Sequence, residues 1–161
     1  MEQSQFLDLI ESHAGIIHKV IRLYVDHPQD REDLFQEIVL QSWKSIKGFR
    51  GESKFSSWLY RVALNTVLTF RKRSVQNQTV PLEEAQRLQQ PEPGNLPVDL
   101  LWRVVYQLND IDKMILTLHL EGYQNPEISE ITGITKNHVA VKLHRSKQEV
   151  LSKLKTKKSW I

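Results

Sequence analysis

Apolar residues recur along this chain at three- and four-residue spacings, and strict apolar–polar alternation is nearly absent. Phe6, Leu7, Leu9, Ile10, Ile16, Ile17, Val20, Ile21 and Leu23 set that period in the first stretch, which predicts helix up to the interruption at His27-Pro28. A second helix is expected from about Asp30 to Ser45, with Gly48 and Gly51 marking the following loop. A third starts near Phe55 and is expected to end in the basic run Arg71-Lys72-Arg73. Ser74 to Pro97 breaks the pattern with Pro81, Pro91, Pro93, Pro97 and Gly94, so it predicts a linker holding one short helix around Glu83 to Leu88. Periodicity resumes at Val98, giving helices to about Leu108 and from Asp110 to Glu121, then two more after Gly122. The fold class is all-α: two small helical domains (1–73 and 98–161) joined by an extended linker (74–97), the second with a helix-turn-helix.

That last motif is the most legible. Asn125 suits an N-cap and Pro126 the first helical position, Ile128 and Ile131 face inward, and Gly133 supplies a left-handed turn. Thr135 then caps a helix with Val139, Leu143, Ser146 and Val150 on one face. On the opposite side stand Asn137, His138, Val141 and Arg145, with Lys136 and Lys142 at the margins. Amide, imidazole and guanidinium groups read base edges, lysines hold phosphates, and a valine can touch a thymine methyl. A plain helical hairpin with a wet polar face is the alternative.

Two other helices carry a pattern. In the second, Leu34, Phe35, Ile38, Val39 and Trp43 are expected to face inward, opposite Asp30, Asp33, Gln36, Glu37 and Lys44 with Leu40 among them. A leucine in an acidic face fits a protein contact, but taken alone this helix is better read as an ordinary solvated face. In the third, Phe55, Leu59, Val62, Thr66 and Phe70 are the expected core, and a separate stripe runs Trp58, Arg61, Asn65, Leu68, Lys72. Interleaved aromatic and basic groups suit unstacked DNA, where bases lie on rings and phosphates meet cations.

Charge distribution sharpens this picture more than the total does. The 161 residues carry a formal charge of only +3. Yet Arg50 to Arg73 holds Arg50, Lys54, Arg61, Arg71, Lys72 and Arg73 against Glu52, and Lys136 to Lys158 holds eight basic residues against Glu149. Two basic regions suggest two contacts with a polyanion. The absence of cysteine removes thiolate chemistry and disulfides and fits a cytoplasmic setting. The acidic start of the chain does not match a secretory signal, and no apolar run is long enough for membrane insertion. No two of the six histidines stand at the i, i+4 spacing of a helical zinc site, and there is no glycine-rich phosphate loop. No metal, cofactor or small-molecule substrate is therefore expected, and an enzyme lacks a constellation to work with.

The runs DREDLFQEIVLQSW, FRGESKFSSWLYRVALN and EGYQNPEISEITGITKNHVAVKLHRSK together resemble bacterial sigma factors of the extracytoplasmic-function group. The likeness covers nearly the whole chain apart from the linker. It implies that Asp33, Gln36, Glu37, Leu40 and Gln41 dock on the clamp helices of core RNA polymerase. It implies that Arg50, Glu52, Ser53, Lys54, Trp58, Arg61 and Asn65 grip the melted minus-ten element of promoter DNA, and that Lys136, Asn137, His138, Lys142 and Arg145 meet the minus-thirty-five duplex. An anti-sigma partner is likewise an expectation of the resemblance, as is a linker threaded through polymerase. Leu64 and Thr69 depart from the pattern where relatives often carry a basic residue and an aspartate. Ala140 replaces a common lysine, and Asn125-Pro126 a frequent aromatic–acid pair. No further domain is expected beyond Lys157-Lys158-Ser159-Trp160-Ile161. A repressor or activator acting without polymerase is the rival reading, but it leaves the acidic and the aromatic–basic helices without a task.

Overall fold

A computed structural model describes residues 1–77 and 96–158, and among them helices are the only extended elements. The chain divides into two compact units, Met1–Thr79 and Val80–Ile161. The short helix expected around Glu83 to Leu88 lies outside the described residues.

The first unit holds α1 (Gln3–Ser12), α2 (Ala14–Tyr24), α3 (Pro28–Ser45) and α4 (Phe55–Asn77), with a 3₁₀ turn at Ile46–Gly48. The apolar period predicts one helix through Leu23, but the chain breaks at His13. There His13 Nδ1 lies 2.9 Å from the Leu9 carbonyl, which also accepts from Ser12 Oγ at 3.0 Å. Side-chain donors that satisfy a terminal carbonyl stabilise a helix end. The α3 helix starts two residues earlier than expected, because Pro28 fits the first turn, where its missing N–H costs nothing. Arg31 closes the preceding loop, its Nε donating to the Val25 carbonyl at 2.7 Å.

Helices α2, α3 and α4 pack on one another, and their shared core corrects two expected faces. On α3 the buried residues are Leu34, Ile38 and Ser42, whereas Phe35 and Val39 are half-buried and Trp43 is 39% exposed. One stripe suffices to meet α2 and α4, so the second apolar stripe is only flanked: His18 stacks on Phe35 at 4.8 Å and Phe6 meets Trp43 at 5.0 Å. On α4 the core is Leu59, Tyr60, Ala63, Leu64 and Val67, while Val62, Thr66 and Phe70 are half-buried. The helix contacts both α2 and α3, and Ala63 is fully buried. Leu64 is thus a packing residue. The helix also runs four residues past Arg73, to Asn77.

Ser42 is fully buried, and its hydroxyl has no partner among the described residues. An unsatisfied buried hydroxyl costs about 1–3 kcal/mol. Ser42→Ala is therefore expected to stabilise the first unit by about 1 kcal/mol, after allowance for the small void it leaves. Thermal denaturation of the variant checks this.

The second unit holds α5 (Leu96–Tyr106), α6 (Asp110–Leu120), α7 (Asn125–Thr132) and α8 (Lys136–Lys158). Pro97, expected in the linker, falls in the first turn of α5. The central α6 is buried continuously from Lys113 to Leu118 and packs on the other helices. The Lys113 ammonium lies 5.4 Å from the Tyr106 ring centroid, a cation–π placement that suits a lysine only 1% exposed. Among the described residues no helix is long and apolar enough to cross a membrane, and no cluster of three or more His, Asp or Glu could hold a metal.

Candidate nucleic-acid interface

The α7–turn–α8 segment is built by local bonds. Gly133 adopts φ 77°, and its N–H reaches the Ser129 carbonyl at 2.9 Å to close α7. Thr135 Oγ1 accepts from the His138 amide at 3.3 Å, which caps α8 as expected. The amino end of α7 differs: its N-cap is Gln124, without a side-chain cap bond, and Asn125 and Pro126 occupy the first two helical positions. The ladder starts there because the Ile128 amide already bonds to the Gln124 carbonyl at 3.0 Å.

A methyl group at residue 133 would meet nothing within 4 Å, so the demand for glycine is conformational. Gly133→Ala is expected to cost about 1–2 kcal/mol, the penalty of the left-handed region for an L side chain. A lowered melting temperature of the second unit checks it.

Along α8 the residues Val139, Leu143, Ser146 and Val150 are buried, in the phase the sequence predicts. Asn137, His138, Val141 and Arg145 are exposed on the opposite side, with Lys136 exposed at the margin. That arrangement presents donors, a cation and one apolar tip on a single convex row, the form a major-groove reader takes. Lys142 is the exception. Its Nζ lies 3.4 Å from Asp112 Oδ1 on α6, so it is turned back onto its own unit.

In the first unit, Trp58 opens α4 by bonding its amide to the Lys54 carbonyl at 3.1 Å. Gly51, at φ 74°, turns the loop that carries Arg50, Glu52, Ser53 and Lys54. Ser53 is half-buried and the other three are exposed. Trp58 is half-buried, its ring 5.5 Å from both Phe49 and Phe55, and Phe55 meets the His13 ring at 4.9 Å. Phe49 and Phe55 thus support the indole and His13 backs Phe55, although periodicity assigns none of them to it. One and two turns on, Arg61 and Asn65 are exposed.

The acidic face of α3 divides in two. Asp33, Glu37 and Gln41 line an open groove of about 510 Å³ whose other wall is Asn65, Thr66, Thr69, Phe70 and Arg73 of α4. Gln29 Nε2 donates to Asp33 at 3.1 Å and Gln41 Nε2 to Glu37 at 2.9 Å, so both carboxylates are held on the helix surface. Gln36 and Leu40 line a separate apolar hollow of about 360 Å³ with Phe6, Leu7 and Trp43. Leu40 is 45% exposed, an apolar group at the margin of an acidic surface.

Comparison with known proteins agrees over both units. The family model for sigma-70 region 2 matches residues 9–76, and that for sigma-70 region 4 matches residues 99–150. The ECF RNA polymerase sigma-E factor of Haemophilus influenzae is 27% identical over 169 residues, covering 95% of this chain and 89% of that protein. The sigma factor SigM of Mycobacterium tuberculosis is 24% identical, covering 88% and 73%. Two solved structures share the fold. CnrH, in complex with the cytosolic domain of CnrY, has a TM-score of 0.68 at 18% identity, covering 96% of this chain and 90% of that one. The sigma factor RpoE of Bartonella quintana, in complex with the anti-sigma factor NepR, has a TM-score of 0.66 at 17% identity, covering 96% and 98%. A region 2 match on one unit, a region 4 match on the other and relatives along nearly the whole length place the chain in the sigma-70 family, as an extracytoplasmic-function sigma factor that directs promoter-specific transcription initiation.

Proposed function

We propose that the first unit, to about residue 73, docks core RNA polymerase through Asp33, Gln36, Glu37, Leu40 and Gln41 and holds the melted minus-ten element. The second unit, from about residue 98, binds the minus-thirty-five duplex, and 74–97 links them through the polymerase. Trp58 serves as a platform on which an unstacked base lies, with Arg50, Lys54 and Arg61 for phosphates and Glu52, Ser53 and Asn65 for base edges. Asn137, His138, Val141 and Arg145 read base pairs in the major groove, while Lys136 and Lys142 take phosphates.

The observation that carries this reading is the α3–α4 groove, where Asp33, Glu37 and Gln41 stand across from Asn65. Polymerase seated on one wall leaves the other beside the DNA strand, which a stand-alone regulator has no reason to build. The role is one of binding rather than catalysis, it needs no cofactor, and its setting is the cytoplasm. CnrH is solved with the cytosolic domain of CnrY and RpoE with the anti-sigma factor NepR, and we extend to this chain an anti-sigma protein that sequesters it.

A mobility-shift comparison tests the proposal. Promoter fragments are expected to shift tightly only when core polymerase and this protein are both present. Tight, sequence-specific binding by the protein alone, unchanged by core, would favour a repressor or activator.

A further inference from the structure

We infer that Asp112 is a positioning residue that restrains Lys142 and thereby limits how firmly the second unit grips DNA of any sequence. The inference rests on reading α8 as the helix that enters duplex DNA. Lys142 follows His138 by one turn and precedes Arg145 by three residues, at the edge of the exposed row. Lys136 and Arg145 make no ion pair among the described residues, but the Lys142 ammonium sits 3.4 Å from Asp112 Oδ1, with the two side chains only 27% and 18% exposed.

Asp112 is fixed independently of that contact. Its amide donates to Asn109 Oδ1 at 2.9 Å, and its Oδ2 accepts from Asn109 Nδ2 at 2.8 Å. It also stands in the first turn of α6, where the helix dipole favours a carboxylate. One oxygen is thus committed to the cap, and the other is held out to Lys142. For Lys142 to meet a phosphate it must leave this carboxylate, and the anion it leaves then faces a polyanion. Partly exposed ion pairs are weak enough for that exchange to occur. Its cost is subtracted from every duplex contact, specific or not. A sigma factor gains from this restraint, because bulk DNA competes with promoters for any protein that binds phosphates strongly.

The test uses the whole chain and a short fluorescent duplex of arbitrary sequence, followed by anisotropy over a series of salt concentrations. Asp112→Asn removes the charge while its amide can still serve the cap. It is expected to bind about five-fold more tightly at low salt. Its plot of log affinity against log salt should steepen by up to about 0.9, the increment for one phosphate contact that the wild type makes in only part of its complexes. Asp112→Glu should restore wild-type behaviour, and Lys142→Ala should cancel the gain in the Asp112→Asn background. A wild-type salt slope that Asp112→Asn leaves unchanged, in a protein whose melting shows it folded, overturns the inference alone. No salt-dependent duplex binding by any of these proteins overturns it together with the reading of α8.

Discussion

Asp33→Arg combined with Glu37→Arg is expected to abolish co-purification of this protein with core RNA polymerase. Both carboxylates are exposed on α3, so the fold does not depend on them, and helix content measured by circular dichroism should be unchanged. What the substitutions remove is a pair of anions on one wall of the α3–α4 groove. What they install is like charge against a partner surface complementary to acid, which costs several kcal/mol at an interface. A loss of about 4 kcal/mol lowers affinity about a thousand-fold. Recovery of core at wild-type yield would contradict this docking surface. Binding of the second unit to duplex should persist in the same variant, since α8 is untouched.

Arg145→Ala gives the complementary result. Arg145 is exposed on the same face as His138 and Val141, behind which Leu143 and Ser146 are buried, so truncation leaves the packing intact. An arginine paired to a base edge discriminates by about 1–3 kcal/mol. Initiation from a promoter with a minus-thirty-five element should therefore fall by roughly 5- to 150-fold, while association with core stays normal. Full promoter activity would show that Arg145 does not read a base. A drop that is equal on every DNA sequence would assign it to phosphate.

The features legible in the sequence are those fixed by neighbours along the chain. Gly133 needs a left-handed backbone and Thr135 offers a hydroxyl three residues before an amide, so the turn and the phase of α8 follow directly. His27-Pro28 marks the break before α3, although the helix takes Pro28 into its first turn rather than starting at Asp30. Features fixed by distant residues are not legible. The break at His13 leaves the apolar period uninterrupted on either side. The core face of α4 lies beside the expected stripe, with Tyr60, Ala63, Leu64 and Val67 buried instead of Val62, Thr66 and Phe70, because contacts with both α2 and α3 set it. Trp58 rests on Phe49 and Phe55, and Phe55 in turn on His13, which joins three separate stretches of chain. The Asp112–Lys142 pair spans 30 residues and changes the state of a residue that the helical wheel leaves at a free margin. The charge pattern marks the candidate surfaces, and tertiary packing decides which side chains are available on them.

Run-off transcription with purified core polymerase on genomic fragments tests the central claim most directly. Discrete transcripts should form only when this protein and core are combined, with start sites downstream of one shared two-part sequence. Core that yields the same transcripts with and without the protein would contradict the account.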